Sequence, residues 1–420
     1  MLLLPPLFFL ALTAFWWHRH RRLDVCIYMS GLYALVTLLA VVLVNGEMLG
    51  DGGILFENSN VHIGVAPTVL FCLAVGMCIA PFGMIYGRDI ERITIHSPWL
   101  IDAFSLLLLA VSLLNLYLVA DSTLDILQGD LGQVRIDHYG GAESPAQLKA
   151  DSMNRLLKML YYANVSTILC LPIFFYNVSE HRHVWWWNGA LLFASLSCPI
   201  VGVQVADRTE IVYWGLMLLF CIIFFYGRLS RGQRWMLAAL GVPVVAVAVV
   251  YLVAVSQSRF DRGGASDSGA RTVQYAGQGF INFCYFYDHA NTNYVSAERE
   301  FPLLHHYVYH VDSGAERRAE RSAQQGFFIS VFAGFVGDIM VDIGIVGLAL
   351  WVVVYFMAAM LLIRCSHRTE WDISEVLLLF LLAVVPLFGI FYYRFMAFTY
   401  TFSLIFVVAL VIASRVRLRI

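Results

Sequence analysis

Eleven apolar segments, most of them about 20 residues long, recur along this chain of 420 residues. A helix of that length spans the hydrocarbon core of a bilayer, because it satisfies its own backbone hydrogen bonds. The segments lie near residues 2–17, 25–44, 65–86, 98–120, 157–178, 184–205, 209–226, 235–256, 328–363, 373–391 and 395–413. Hydrophobic residues make up 60% of the chain and charged residues 13%, against about 45–50% and about 25% in soluble domains. The sequence therefore predicts an all-α polytopic membrane protein with about 11 transmembrane helices, forming a single integral membrane domain over residues 1–420.

Two of these segments need separate interpretation. Residues 2–17 resemble the apolar region of a signal peptide, but no basic stretch precedes them and no small-residue cleavage site follows, so we expect a retained helix. Residues 328–363 are too long for one untilted crossing. Glycines interrupt that segment, so we expect a short re-entrant or interfacial piece followed by one full span; they are Gly334, Gly337, Gly344 and Gly347.

Lysine and arginine in the short loops predict the orientation, because they concentrate on the cytoplasmic side. One set of alternate loops is basic, beginning with residues 18–22 and ending with Arg415, Arg417 and Arg419. The opposite set includes residues 45–64, which carry acidic residues but no lysine or arginine. We therefore expect the N-terminus on the outer side of the membrane and the C-terminus in the cytoplasm; the outer side is the periplasmic side if the family resemblance described below holds.

Two loops on the outer side are long. Residues 121–156 are acidic and lead into an amphipathic stretch from Leu148 to Leu160. Residues 257–327, the large outer loop, form the longest aqueous segment, and such loops are commonly functional. Within this loop, residues 274–287 are rich in aromatic side chains and residues 316–325 are typical of a short charged helix.

Several kinds of chemistry have no pattern in this chain. There is no Walker A motif, Rossmann fingerprint or H-E-x-x-H sequence, and no Cys-x-x-Cys or Cys/His cluster with metal-ligand spacing. The net charge of −2 gives no basic field for nucleic acid. We expect no metal, no cofactor and no nucleic-acid partner, and activity in the membrane or at its outer side.

Arginines on the outer side are the main sign of a binding site, because positive charge there runs against the usual bias. Arg208 lies between two spans, Arg259 and Arg262 follow the eighth, and Arg271 precedes the aromatic stretch. Guanidinium groups bind phosphate oxygens bidentately, so this pattern favours an anionic, phosphate-bearing ligand. The charged-helix residues Arg317, Arg318 and Arg321 are equally consistent with solvated positions in a translocated loop.

Two carboxylates lie in the glycine-rich segment after the large outer loop. Asp338 and Asp342 are four residues apart and so share one helical face. Ionisable groups at membrane depth are costly and are functional hypotheses by default. One of them could act as a general base, or both could pair with outer arginines; the spacing leaves these alternatives open.

Histidines and aromatic residues complete the candidate site. His305, His306 and His310 could accept a proton from a sugar hydroxyl, and an interfacial structural role is an equal alternative. Tyr275 and Phe280 could stack on sugar rings, or belong to an aromatic belt at the membrane interface.

The organisation of the chain resembles that of a known family. The matching residues are Arg208 after the sixth span, Ser258-Arg259-Phe260 after the eighth, Arg271 with the Gln274–Phe280 stretch, and Asp342-Ile343-Gly344. Together they resemble the Wzy-type polymerases of oligosaccharide repeat units in bacterial surface polysaccharide synthesis. The resemblance extends over the topology of the whole chain and is most specific over residues 200–350.

This resemblance implies a metal-independent, inverting glycosyltransferase with a GT-C-like fold and a large periplasmic loop in the bacterial inner membrane. It would join O-antigen, capsular or exopolysaccharide units carried on undecaprenyl pyrophosphate, with a chain-length regulator and a flippase as partners besides membrane lipid. Arg208, Arg259 and Arg271 would stabilise the pyrophosphate leaving group, with Asp342 or His310 as the base. Substrate contacts would come from Arg262, Tyr275, Phe280, Asp338, Arg317 and Arg321.

Two other functions remain open at the level of the sequence. An O-antigen ligase places a histidine late in its large loop, which His306 loosely matches, but Ser330-Val331-Phe332 stands where a His-Asn pair is expected. A transporter of polysaccharide or lipid-linked glycan is the alternative of another class. Transporters carry charged residues inside several spans, whereas here they gather at the outer boundary.

Overall fold

The computed structural model describes most of the chain. The described residues are 1–46, 62–85, 92–129, 133–134, 144–239, 241, 246, 250–251, 268–291, 296–310, 315–329, 331–365 and 370–415.

Helices dominate the described residues. They are α1 (Leu4–His20), α2 (Val25–Asn45), α3 (Val65–Ile85), α4 (Pro98–Gln128), α5 (Pro145–Asp151), α6 (Arg155–Tyr162), α7 (Cys170–Ser179), α8 (Trp185–Ser195), α9 (Ser197–Val203), α10 (Thr209–Phe225), α11 (Ser268–His289), α12 (Pro302–Tyr307), α13 (Ala315–Gln325), α14 (Gly334–Cys365), α15 (Ile373–Phe388) and α16 (Phe398–Arg415). Turns of 3₁₀ helix lie at Ala163–Leu169, Tyr226–Arg228 and Arg394–Met396. Two short strands, β1 (Arg92–Thr94) and β2 (Glu370–Asp372), pair with each other.

Eight stretches among the described residues are long and apolar enough to cross a membrane. They are Val25–Asn45, Val65–Ile85, Pro98–Thr123, Arg155–Ser179, Trp185–Val203, Thr209–Arg228, Gly334–Arg364 and Phe398–Arg415. Such a series indicates a multi-pass membrane protein and confirms the predicted all-α class.

Three of the eleven predicted spans are not among these eight. Helix α1 has 17 residues and α15 has 16, so both are short for a crossing. The remaining predicted span, residues 235–256, begins within a helical stretch that the structure describes over residues 231–239. Most of its later residues lie outside the described residues. The number of crossings therefore stays a prediction.

The chain divides into two compact units. The first comprises residues 1–92, 267–370 and 381–401, and the second comprises residues 93–266, 371–380 and 402–420. Each unit contains segments that are distant in sequence. The single membrane domain expected from the sequence stays a prediction, and the two units are subdivisions of that chain.

Aromatic packing fills the core of the first unit. The Phe71 ring lies 6.3 Å from that of Phe9, 5.2 Å from Phe280 and 5.5 Å from Phe283. These rings join α1 and α3 to α11, a helix of the large outer loop. The aromatic stretch of that loop is therefore partly core: Phe280 and Phe283 are buried, as is Phe286.

Glycine allows α11 to approach α2 closely. A Cβ atom at Gly277 would lie 2.7 Å from the carbonyl carbon of Leu39 and 2.8 Å from the amide nitrogen of Ala40. Both are backbone atoms, which cannot move aside as a flexible side chain does. A Cβ at Gly279 would likewise lie 3.1 Å from the Ile390 carbonyl oxygen. The Gly-x-Gly pair of the aromatic stretch is therefore a packing feature.

The second unit has its own aromatic packing and an ion pair between Asp102 and Arg182. The Phe220 ring lies 4.8 Å from Phe380. Asp102, near the start of α4, receives two hydrogen bonds from the Arg182 guanidinium at 2.8 and 2.9 Å. Asp102 lies within the predicted span 98–120, and this ion pair neutralises its carboxylate.

One local prediction about the large outer loop is confirmed, whereas the re-entrant or interfacial position expected for the first part of residues 328–363 stays a prediction. The charged stretch 316–325 forms α13. The long apolar segment forms α14, which is broken at Gly344, where φ is 73° and ψ is 178°. A residue with a Cβ rarely adopts that conformation, so glycine determines where the helix divides.

The amphipathic stretch 148–160 is split between α5 and α6, because Asn154 caps α6 by accepting a hydrogen bond from the Leu157 amide at 3.0 Å.

Replacing Gly277 with alanine should destabilise the first unit. The added methyl group meets the α2 backbone, and overpacking of this kind costs about 1–3 kcal/mol. Gly31→Ala in α2 is the matched control, since a Cβ there meets nothing within 4 Å. Thermal unfolding of both variants in detergent should show a lowered midpoint for Gly277→Ala only. Equal midpoints would contradict the close approach of α2 and α11.

Candidate functional site

The first part of α14 carries the two carboxylates that the sequence places on one helical face. Asp338 and Asp342 are both fully buried. The helix begins at Gly334, whose φ is +67°, and is anchored there by two backbone hydrogen bonds. The Gly334 amide donates to the Phe391 carbonyl at 3.1 Å, and the Phe335 amide donates to the Gly389 carbonyl at 2.8 Å. The break at Gly344 ends this short buried segment.

Asp338 is neutralised by an arginine of the large outer loop. Its carboxylate forms an ion pair with Arg299 and accepts a hydrogen bond from the Tyr393 amide at 2.8 Å. Burial alone would lower the pKa of Arg299, but the negative charges of Asp338 and Asp342 outweigh it and raise that pKa. Arg299 is therefore a permanent cation held inside the protein.

Asp342 has more partners than Asp338. It forms an ion pair with Arg321 of α13 and accepts hydrogen bonds from the Ser296 hydroxyl and, at 2.7 Å, from the Arg299 amide. Its backbone carbonyl accepts from the Ser296 amide at 3.0 Å. One aspartate thus connects α13 and the turn at 296–300 to α14.

A second row of charges surrounds this pair. Glu298 forms an ion pair with Arg317, and its carboxylate lies 3.8 Å from Arg321. Arg317 also contacts Glu320 at 2.6 Å. Hydrogen bonds to Glu298 and Glu320 raise the pKa of Arg317. Because Arg317 and Arg321 are four residues apart, α13 presents both to the carboxylates from one face.

Glu300 is the exception in this charge balance. Its two carboxyl oxygens are buried and accept no hydrogen bond within the described part of the chain. Burial, and then the neighbouring Asp342 carboxylate, raises the pKa of Glu300 to about 10. At neutral pH Glu300 is therefore protonated and donates a hydrogen bond to Asp342.

We refer to these side chains together as the arginine–carboxylate cluster; its members are Glu298, Arg299, Glu300, Arg317, Arg321, Asp338 and Asp342. Buried ions are tolerated only when paired, and here each buried charge has an opposite partner. The cluster therefore fixes the large outer loop on the broken helix, and Glu300 holds a proton within it. Its guanidinium groups make it unsuited to a cation.

The structure brings together four of the predicted site residues. Asp338, Asp342, Arg317 and Arg321 belong to the cluster, and the two aspartates are paired with loop arginines, which is the second of the roles that their spacing left open. Asp342 has its oxygens occupied by donors, so a proton-accepting role would require one of those contacts to open. Its role as a base stays a prediction.

Other predicted site residues occupy different positions. His310 is exposed three residues after the end of α12, with a φ of +53°. The ring of Tyr275 lies 4.5 Å from that of Phe332, and Phe280 is buried beside Phe71. Phe280 would reach a sugar only if this packing opened.

The predicted phosphate-binding arginines are described to different extents. Arg208 precedes the first residue of α10 in the second unit, where Asp207 accepts a hydrogen bond from the Thr209 amide at 3.0 Å. Arg271 lies in the first turn of α11 in the first unit. Arg259 and Arg262 lie outside the described residues. The binding of pyrophosphate by these residues stays a prediction.

Sequence reasoning missed Arg299, Glu300 and Ser296. The signal available was the alternation Glu298-Arg299-Glu300, a triplet that holds the only Asp, Glu, Lys or Arg residues between Asp288 and Asp312. Such a triplet is usually solvated, and the neighbouring residues in the sequence do not indicate that the Arg299 side chain is buried.

No protein-family model matches this chain, and neither the curated proteins nor the solved structures contain a significant match.

Removing one partner of the Arg299–Asp338 pair should destabilise the protein strongly. Arg299→Met leaves a buried carboxylate unpaired, which costs about 3–5 kcal/mol. The double variant Arg299→Met/Asp338→Leu should recover part of that loss, because no lone charge remains. Chemical unfolding in detergent measures the free energy of unfolding of the wild type, of each single variant and of the double variant. Additive single losses would contradict direct pairing, and the exposed pair Lys149–Asp121 should show a coupling below about 1 kcal/mol.

Glu300 should make stability dependent on pH. Its pKa is about 10 in the folded protein and 4.5 in its ordinary environment, so the folded state binds one more proton between these values. The stabilisation is complete below the ordinary pKa and is lost as pH rises through the folded pKa. Wild-type protein should therefore lose stability between about pH 6 and about pH 9.

Glu300→Gln should have a flatter profile over that range, since its amide cannot ionise. Glu370→Gln, at an exposed position, should retain the wild-type slope. The measurement is the thermal unfolding midpoint as a function of pH. Equal slopes for wild type and Glu300→Gln would show that Glu300 does not hold the proton.

Proposed function

We propose that this protein is a membrane-embedded glycosyltransferase that polymerises lipid-linked oligosaccharide repeat units at the periplasmic face of the bacterial inner membrane. The observation that carries the proposal is that the described part of the large outer loop is folded: α11 enters the apolar core, and α13 with the 296–300 turn is fixed to α14 by buried ion pairs.

A folded polar layer on apolar helices suits an amphipathic substrate. In a glycan linked to undecaprenyl pyrophosphate, the polyprenyl tail stays in lipid while the glycan and the pyrophosphate face water. An enzyme acting on it needs groups held at that boundary, because transition-state stabilisation depends on donors already in place. An ordinary connecting loop does not require seven ionisable residues, six of them charged at neutral pH, at its contact with a helix.

The proposed reaction needs few protein groups. A hydroxyl of the acceptor glycan attacks the anomeric carbon of the donor, a C–O bond forms there, and the bond to pyrophosphate breaks with inversion. The electron pair leaves with the pyrophosphate, where guanidinium groups such as Arg271 stabilise the new charge. The hydroxyl proton passes to a base on the protein.

His310 is the better candidate for that base. Its side chain is exposed beyond α12, where a glycan hydroxyl has access. Asp342 is buried, and four donors already contact its carboxylate, as described above. A neutral imidazole accepts protons near neutral pH, so the proposal assigns proton acceptance to His310 and an anchoring role to Asp342.

One observation favours a transporter as the alternative. Helix α14 is broken at Gly344 and carries ionisable residues, a combination found at the binding sites of transporters. The carboxylates are, however, paired with arginines of the large outer loop. A coupling site has to exchange its ions during the cycle, and these pairs would have to open each time.

Deletion of the gene in its host, with gel analysis of surface polysaccharide, separates these functions. Loss of a polymerase leaves single repeat units on the lipid core. Loss of a ligase leaves a bare core and long lipid-linked chains, and loss of a transporter leaves units trapped on the cytoplasmic side. Normal polysaccharide after deletion would contradict all three.

Arg271→Ala and Arg259→Ala should each reduce polymerisation by about 100-fold or more, the size of effect seen when one donor to a developing anion is removed. The measurement is the ladder of chain lengths formed by purified protein in proteoliposomes supplied with lipid-linked repeat units. Arg318→Ala is the control, because Arg318 is an exposed arginine of α13 outside the cluster. Full activity of both Arg271→Ala and Arg259→Ala would contradict the assignment.

A further inference from the structure

The junction between α1 and α2 gathers three different metal-binding side chains. Helix α1 ends at His20, and Asp24 caps α2 by accepting a hydrogen bond from the Ile27 amide at 2.9 Å. The Nδ1 atom of His20 contacts the other carboxylate oxygen of Asp24. The Cys26 thiol donates to the capping oxygen at 3.0 Å. A nitrogen, an oxygen and a sulfur donor therefore meet at one turn.

The geometry of the group is compatible with one ion. The three potential ligand atoms lie within 4.8 Å of one another. Metal–ligand bonds of about 2.0–2.3 Å in a tetrahedral site place ligand atoms about 3.3–3.8 Å apart. All three donors come from one short turn, with the spacing His-x₃-Asp-x-Cys.

Burial distinguishes this group from a surface cluster. The side chains of His20 and Asp24 are each 4% exposed, and Cys26 is fully buried. Neighbouring Arg19, Arg21 and Arg22 are exposed. The three potential metal ligands are therefore buried. The basic side chains of the same turn are exposed to solvent, so they do not occupy the place that a metal ion would take.

We infer that His20, Asp24 and Cys26 bind a thiophilic divalent cation such as Zn²⁺. On binding, the thiol loses its proton to solvent and the thiolate, the carboxylate and neutral imidazole become ligands, with water in the fourth position. The resulting group carries no net charge, since the two anionic ligands balance the ion. Neutrality suits a buried site better than an isolated carboxylate does.

The redox environment supports the assignment. The basic loop at residues 18–22 is predicted to be cytoplasmic, where thiols stay reduced and available to metals. This group combines three residue types across a helix junction, so its spacing matches neither a Cys-x-x-Cys motif nor a Cys/His cluster. Such a site would fix the angle between α1 and α2, independently of the proposed transferase activity.

Cobalt provides a direct probe of a site containing a thiolate. Purified full-length protein in detergent, stripped with a chelator and titrated with Co²⁺, should develop a near-ultraviolet thiolate-to-cobalt absorption band with one ion per chain. Added Zn²⁺ should displace Co²⁺ and remove the band. Zn²⁺ should also raise the thermal unfolding midpoint, since an ion that binds only the folded state stabilises it.

Three variants separate metal binding from a purely structural cluster. Cys26→Ala should abolish the band, and Cys78→Ala, which removes another fully buried thiol of the first unit, should retain it. Asp24→Asn keeps an N-cap oxygen for Ile27 but loses the charge, and should weaken Co²⁺ binding by more than about tenfold. Absence of the band in wild type, or its persistence in Cys26→Ala, would overturn the inference.

Discussion

The ion pairs of Asp338 with Arg299 and of Asp342 with Arg321 determine how the large outer loop is folded. Each pair joins a buried carboxylate of α14 to an arginine that is distant in sequence. Removing four charges from water is costly, and apolar side chains of similar size would often be as stable. What the charges add is position. Two guanidinium groups can satisfy two buried carboxylates in only a few arrangements, so α13 and the 296–300 turn acquire a defined register on α14.

The break at Gly344 complements these pairs. It separates a short buried segment, which carries the aspartates, from the longer apolar part of α14; the candidate membrane span Gly334–Arg364 includes both parts. The aspartates therefore lie close to one end of that helix, within reach of an aqueous loop. Under the proposed function, the same arrangement would present a surface where the lipid-soluble and water-soluble parts of a substrate meet.

Sequence reasoning was most successful where a local pattern determined the outcome. The apolar segments predicted the helical membrane class, the charged stretch predicted α13, and the four-residue spacing placed Asp338 and Asp342 on one face. It was less successful where distant residues decide. Nothing near Arg299 indicates that it is buried, and nothing near Gly277 shows that the α2 backbone lies against it. The ends of two helices also differ from the apolar segments: α15 ends at Phe388 rather than at residue 391, and α1 continues to His20, beyond residue 17.

Hydrogen–deuterium exchange of the reconstituted protein tests the central claim most directly, namely that the cluster fixes the large outer loop on α14. The Ser296 and Arg299 amides donate to Asp342, so peptides containing them should exchange as slowly as peptides from α14. In Asp342→Ala the same peptides should exchange rapidly while those from α2 stay protected. Rapid exchange of residues 296–300 in the wild-type protein would contradict the account.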